Sequence, residues 1–378
     1  MKVLQLIHNL RAEGAQRVLV NLVSATDPQV IDQQVCAWKM GGPLAKQLQT
    51  MQVPLTLGDQ LPLQGKSFFW RLMQLRHLIC DQKIDLMHAH LSDAIMVAAF
   101  LKCLTGVPFV ITHHCPDFMP PNLRGFKARL YAWVVRWAMR QAAMHIAISA
   151  AVQQSIITAV ALHQANWQVV ANGVPLPPLN QTKPILDFPL AMPARFRHRP
   201  ILIAVGRLDI VKDVAQLIMA MPNVLAVMPD VRLAILGDGP LRGQLQAQIE
   251  RLQLQSQIEL VGLSTEVGAW LQQSTVFVSC SIYEGVPMAL LEAMACGLPV
   301  VVSDVAGNRD VVAHLRTGWL YEKNEDNALI SALITALQDH ARAHQLGRAA
   351  AVWVREHYSQ EAMASAYQRL YQQLVVSQ

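Results

Sequence analysis

No segment of this chain approaches the uninterrupted apolar run of about 18 residues that a membrane-spanning helix needs. The start, MKVLQLIHNL, carries one lysine and a short apolar run broken by Gln5 and His8, which leaves no room for a secretory leader. None of Cys36, Cys80, Cys103, Cys115, Cys280 and Cys296 forms a CxxC pair. Several lie in apolar runs, where a thiol behaves as a small hydrophobe, and a reducing cytoplasmic compartment is expected. Charge is scarce as well: charged residues make up 15% and hydrophobic residues 53%, which argues against disorder and supplies apolar surface for two cores in 378 residues. The formal charge of +5 admits anionic ligands or lipid headgroups but calls for no nucleic acid. No short-period repeat is present.

What is there is alternation. KVLQLIHNL reads as a strand and GAQRVLVNLVSAT as a helix; IDLMHAH and PFVITHH read as strands around the helical SDAIMVAAFLKCLTG; HIAISA and WQVVANG continue the rhythm. Residues 172–200 interrupt it with a proline-rich stretch that reads as a connection between domains. The pattern then restarts with PILIAVGRL, VRLAILGDG, IELVGL, TVFVSC and PVVVSD, each followed by a helical segment, and SQEAMASAYQRLYQQLVV reads as an amphipathic helix. This order predicts an α/β chain of two doubly wound halves with parallel sheets.

The stretch YEGVPMALLEAMACGLPVVVSD puts Glu284 in the loop after a strand and Glu292 in the second turn of a helix. Pro287 suits the first turn of that helix, and Cys296-Gly297 ends it. Loops at strand ends line ligand crevices in open α/β sheets. The amides near Met288 and Ala289 are free to meet an anion such as a phosphate. Two acids beside that anion are suited to accept hydrogen bonds from hydroxyls, as in a ribose and a hexose. Alone, this spacing fits a solvated loop acid and a capping acid equally well. VGRLDIVKD adds Arg207 directly after a strand and Lys212 five residues on, a fork and a point charge that suit a diphosphate.

With VGRLDIVKD, LAILGDGPLRGQL, VGLSTEV and SIYEGVPMALLEAMACGLPVVVSDVAGNRDVV in view, the second half resembles that of a retaining GT-B glycosyltransferase of family 4. GAQRVLVNL, IDLMHAH, VITHH, AISAAVQQ and VVANGV resemble the acceptor-side half, so the likeness covers nearly the whole chain. It implies two Rossmann-like domains facing a cleft: an acceptor-side domain of residues 1–175, on which the C-terminal helix 358–378 packs back, and a nucleotide-sugar domain of residues 176–357. It implies that Glu284 contacts the donor sugar, that Glu292 holds the ribose, and that Arg207 and Lys212 bind the diphosphate. Gly285, Met288 and Ala289 fall in the same donor loop and helix start, Leu263 falls where the base is met, and Gly14 falls where the first helix approaches the phosphates. The family pattern T-x-H points to His114 rather than His113 near the reaction centre. Departures from the pattern are Glu13 in place of a second glycine, Ala306 for a glycine, Asp310 for a glutamate and Pro175 for an aspartate.

The expected activity is transfer of a hexose or N-acetylhexosamine from a nucleotide diphosphate sugar, UDP favoured, to a hydroxyl of a carbohydrate or lipid-linked acceptor. Retention of configuration and no metal or other cofactor are expected, in polysaccharide or glycolipid synthesis. The alternative is a nucleotide-sugar epimerase of the same fold, and a catalytically silent binding module is the third reading. Other motifs carry less. GDGPLRG has its third glycine misplaced for a dinucleotide loop. His88, His90, His113 and His114 raise a metal site but have no matching carboxylate set, and the phosphate-type bases argue against reading Glu284 and Glu292 as a glycosidase pair. In residues 122–140 a stripe of Phe126, Arg129, Trp133, Arg136, Trp137 and Arg140 opposes Val135, Ala138 and Met139. It fits either a core helix with basic ends or a surface helix on anionic lipid. The family resemblance favours the second, hence peripheral placement on the inner face of the cell membrane.

Overall fold

The computed structural model of the chain describes residues 1–11, 13–59, 68–115, 124–177, 192–325 and 327–376. The chain divides into two compact units, Met1–Gly173 with Gln360–Gln378, and Val174–Ser359. The first unit is built on β1 (Lys2–Asn9), β2 (Asp32–Met40), β3 (Leu55–Leu57), β4 (Leu86–His90), β5 (Phe109–His113), β6 (Met144–Ala147) and β7 (Trp167–Val169). These strands form one parallel sheet in the order β3-β2-β1-β4-β5-β6-β7. The second unit has β8 (Ile201–Val205), β9 (Arg232–Leu236), β10 (Ile258–Gly262), β11 (Val276–Ser279), β12 (Val300–Ser303) and β13 (Trp319–Tyr321). Its order is β10-β9-β8-β11-β12-β13, again parallel. Both orders reverse once, which is the doubly wound arrangement, and each reversal opens a crevice at the carboxyl ends of the strands.

The strands are apolar on both faces because helices cover both. In the second unit Leu202, Leu233, Ile235, Val278 and Val301 are buried against Leu217, Met221, Leu245 and Leu333 of the helices. The C-terminal helix Gln360–Val376 packs on the first unit, where Tyr367 and Tyr371 are fully buried. The Tyr371 hydroxyl lies 2.6 Å from His88 Nδ1 and the Tyr367 hydroxyl 2.9 Å from Thr112 Oγ1. The end of this helix thus closes over polar groups that the sheet buries.

Three strands escape the sequence reading. β2 starts with buried Gln33 and Gln34, which disguise its interior character, while β3 and β13 have three residues each. Most of the proline-rich stretch, 178–191, lies outside the described residues. The basic stripe needs a correction. In helix Gly125–Arg140, Trp137 turns inward and meets Phe100 with ring centroids 5.4 Å apart. Leu130 takes its place among the exposed apolar residues, beside Phe126 and Trp133, and Val135, Ala138 and Met139 are buried.

Candidate functional site

β8 delivers the chain into the loop 206–213. The loop is pinned where it leaves the sheet: Gly206 N donates to Leu236 O (2.9 Å) and Leu208 N to Asp238 O (3.0 Å). Gly237 backs it at φ +131°, and a Cβ there would lie 1.8 Å from Gly206 O. The GDG stretch therefore shapes the Lys212 loop by close backbone approach rather than by cradling a dinucleotide. Gly237→Ala should lower the unfolding free energy by about 2 kcal/mol or more and reduce activity. A urea titration with an unchanged midpoint, together with unchanged activity, would refute this role.

Further along, Asp209 Oδ1 accepts from Lys212 N (3.2 Å), and Arg207, exposed in the same loop, has Nε 3.7 Å from Asp209 Oδ2. The second loop, after β11, is joined to the first by Ile282 N donating to Val211 O (2.8 Å). Here two of the residues singled out in the sequence meet. Lys212 Nζ donates to Glu284 Oε1 (2.5 Å), and Ser281 Oγ donates to the same oxygen (2.6 Å). The Glu284 side chain is 9% exposed and that of Lys212 27%. Both bonds fall on Oε1, so Oε2 remains to accept from a hydroxyl, and an ammonium with one proton so engaged has two more to give.

A polar layer holds this loop from behind. Ser303 Oγ donates to Ser281 O (2.6 Å), and Asn308 Nδ2 donates to Ser303 O (2.8 Å). Gly307 lies so close that a Cβ would stand 2.0 Å from Gly285 O and 2.4 Å from Glu284 O. Lys323 Nζ donates to Asp213 Oδ2 (2.6 Å), Gln216 Oε1 (2.8 Å) and Cys280 O (2.8 Å), bracing both loops. Sequence reasoning passed over Ser281, Ser303, Gly307, Asn308 and Lys323, because none has a recognisable spacing. Gly206, Lys212, Ser279, Cys280 and Ser281 line a recess at this edge.

The helix Met288–Ala295 begins one residue later than expected: Pro287 is its cap, not part of its first turn, and no side chain caps it. Its first amides, at Met288 and Ala289, have no intrahelical acceptor and form the positive end of the helix. Glu292 sits half-buried in its second turn, and Leu263, past the end of β10, is exposed. The second unit thus gathers Arg207, Lys212, Glu284, Gly285, Met288, Ala289 and Glu292 on the two segments that follow the adjacent strands β8 and β11, at its own switch point. Gly14 and His114 belong to the first unit, where Gly14 opens the helix Gly14–Ala25.

Five histidines of the first unit, buried His88, His90, His113 and His145 and part-buried His114, fall into two hydrogen-bonded groups. His90 Nε2 donates to Gln5 Oε1 (2.9 Å), so its Nδ1 accepts from His114 Nε2 (2.9 Å). His114 Nδ1 is then an acceptor with no partner among the described residues. His113 instead stacks on His145, with centroids 5.3 Å apart, and bonds to it at 3.0 Å. Burial pushes His88, His90 and His113 well below the ordinary histidine value, and His114 and His145 down to about 4. A depressed histidine stabilises the fold above its unfolded value near 6.5, and that stability is lost as pH falls toward the folded value. Between about pH 6.5 and 4, each such histidine should cost the fold about 1.4 kcal/mol per pH unit. The urea midpoint reported by Trp167, which packs on His113 and His145, should fall steeply in that window. A flat midpoint would contradict neutral burial.

Comparison with known proteins bears on both units. The family described as Glycosyl transferases group 1 matches residues 193–353, and Glycosyltransferase Family 4 matches residues 12–176. The chain is 28% identical over 276 residues to an Escherichia coli UDP-Gal:alpha-D-GlcNAc-diphosphoundecaprenol alpha-1,3-galactosyltransferase, covering 71% of this chain and 70% of that one. It is 30% identical over 279 residues to the alpha-maltose-1-phosphate synthase of Mycolicibacterium smegmatis, covering 69% and 71%. The crystal structure of Anabaena HepE in complex with UDP-glucose superposes with a TM-score of 0.78 at 19% identity, over 99% of this chain and 100% of that one. That likeness carries the fold.

Proposed function

This chain belongs to the group 1, family 4 glycosyltransferases, and from that premise we propose that it moves a hexose or N-acetylhexosamine from a UDP-sugar to an acceptor hydroxyl with retention of configuration. The observation that carries the reading is the Lys212–Glu284 pair at the switch point of the second sheet. It sets a cation with spare protons beside a carboxylate with a free oxygen, and a helix start follows. Lys212, Arg207 and the amides of Met288 and Ala289 stabilise the charge of the departing diphosphate, an electrostatic role. Glu284 accepts from a hydroxyl of the transferred sugar and Glu292 from the ribose, while Leu263 borders the base. Gly285 stands beside Glu284 in the donor loop, and His114 and Gly14, on the first unit, keep the roles that the family pattern implies for them.

Release of UDP from UDP-sugars by the purified protein, assayed against GDP- and ADP-sugars, tests the donor. Because bases neutralise the diphosphate, activity should survive EDTA. Complete loss on chelation, restored by Mg²⁺ or Mn²⁺, would reverse this part of the mechanism.

The acceptor in this reading is carbohydrate or lipid-linked, and the protein works at the inner face of the membrane. No helix among the described residues is long and apolar enough to cross a bilayer. Phe126, Leu130 and Trp133 form an exposed stripe on helix Gly125–Arg140. Arg124, Lys127, Arg129, Arg136 and Arg140 are exposed around it. Anionic liposomes should sediment the protein at low salt and neutral ones much less, each basic residue contributing on the order of 1 kcal/mol. A triple Arg129, Arg136, Arg140→Glu variant that still sediments with anionic liposomes would refute the placement.

A further inference from the structure

The sheet of the first unit has its own switch point, between β1 and β4, the position at which open α/β sheets bind ligands. Three charged or titratable side chains converge there. His8 lies near the end of β1, Lys39 near the end of the adjacent β2, and Asp93 in the first turn of the helix Ser92–Thr105 that follows β4. His8 Nδ1 and Lys39 Nζ each stand 2.7 Å from Asp93 Oδ2. The Tyr131 hydroxyl donates to Oδ1 at 3.5 Å. The His8 bond, with help from Lys39, holds the Asp93 carboxyl down at about 2. As a carboxylate it only accepts, so His8 turns a protonated Nδ1 to it and leaves Nε2 for another partner.

A packing role does not need this arrangement, since Lys39 alone would balance Asp93. The His8 side chain is 30% exposed and that of Lys39 41%, and His8 Nε2 makes no hydrogen bond among the described residues. The crevice therefore offers a ring nitrogen, its imidazole held by Asp93, beside an ammonium with spare protons. The ring of Trp38 lies 5.1 Å from that ammonium. A hydroxyl next to a second oxygen on a pyranose matches the two polar groups, and its C–H face matches an aromatic ring. A simple alcohol fits less well, because it brings one oxygen where His8 and Lys39 take two.

We propose that His8, Lys39 and Asp93 form a saccharide subsite, in which His8 Nε2 accepts from a sugar hydroxyl, Lys39 donates to the neighbouring oxygen and Asp93 orients the imidazole. The subsite rests on the reading that this chain glycosylates a hydroxyl, and it makes the acceptor's terminal unit a sugar. His8 and Lys39 are binding residues; Asp93 is a positioning residue.

The test uses the whole protein with ¹⁵N-labelled histidine, the His8 imidazole signals being assigned by their loss in His8→Gln. At neutral pH they should show a protonated Nδ1 and an unprotonated Nε2. Millimolar methyl glycosides of glucose, galactose or N-acetylglucosamine should move them, and glycerol should not. Asp93→Asn should lose the fixed tautomer, and its glycoside response should weaken at least tenfold. UDP binding, followed by calorimetry, should stay within twofold of wild type in both variants. A proton on Nε2, or signals that no glycoside moves, would overturn the subsite, as would a His8→Gln variant that loses UDP binding. Glycoside shifts in a wild-type protein that binds no UDP would support the subsite and count against the donor reading alone.

Discussion

Glu284→Gln should leave the protein folded and lower sugar transfer by about one to two decades. A hydrogen bond to a charged group contributes about 1.5–3 kcal/mol, and in the proposed reaction the carboxylate accepts from a sugar hydroxyl through Oε2 while its Oε1 takes Lys212 and Ser281. Glutamine keeps the shape and one carbonyl, so Ser281 and Lys212 retain an acceptor and the loop keeps its path between Ile282 and Gly307. Thermal unfolding should therefore move little. Glu292→Gln should act differently, weakening donor binding with a smaller effect on turnover. A Glu284→Gln enzyme with wild-type transfer rates would remove this acid from the reaction.

Lys212→Ala and Arg207→Ala should each slow transfer by about two to three decades, the usual scale for losing a group that stabilises developing charge. Their signature lies in the ligand dependence. Affinity for UDP should fall much more than affinity for uridine, because only the diphosphate meets these side chains. Lys212→Ala also strips Glu284, 9% exposed, of its counter-charge, so some loss of stability should accompany it. Arg207 is solvent-exposed with only a 3.7 Å partner, and its removal should leave stability untouched. Equal weakening of UDP and uridine would take both residues out of the phosphate site.

Much of this architecture is legible in the sequence, because parallel strands covered on both faces leave continuous apolar runs and the helices between them keep their own period. PILIAVGRL and TVFVSC announce β8 and β11, and the charged loops that follow them announce the site. The supporting shell is not legible. Ser303, Asn308 and Lys323 act through backbone carbonyls and one another across the fold, and nothing in their spacing signals it. Gly237 and Gly307 matter through the distance to another loop's carbonyl, which no local pattern encodes. β2 was hidden because Gln33 and Gln34 are buried amides; Gln33 takes a hydrogen bond from Gln5 across the sheet. Helical angle alone puts Trp137 on the exposed stripe, and its partner Phe100 comes from another helix.

The central claim is that the Lys212–Glu284 site turns over a nucleotide diphosphate sugar. Purified protein should be incubated with UDP-, GDP- and ADP-sugars, with glycoside acceptors and with water as the acceptor, following nucleotide release and the anomeric configuration of the product. The account predicts release from a UDP-sugar, strong suppression by Glu284→Gln, and a product whose anomeric configuration matches that of the donor. No release from any of the three, or accumulation of a free epimerised sugar without transfer, would contradict it.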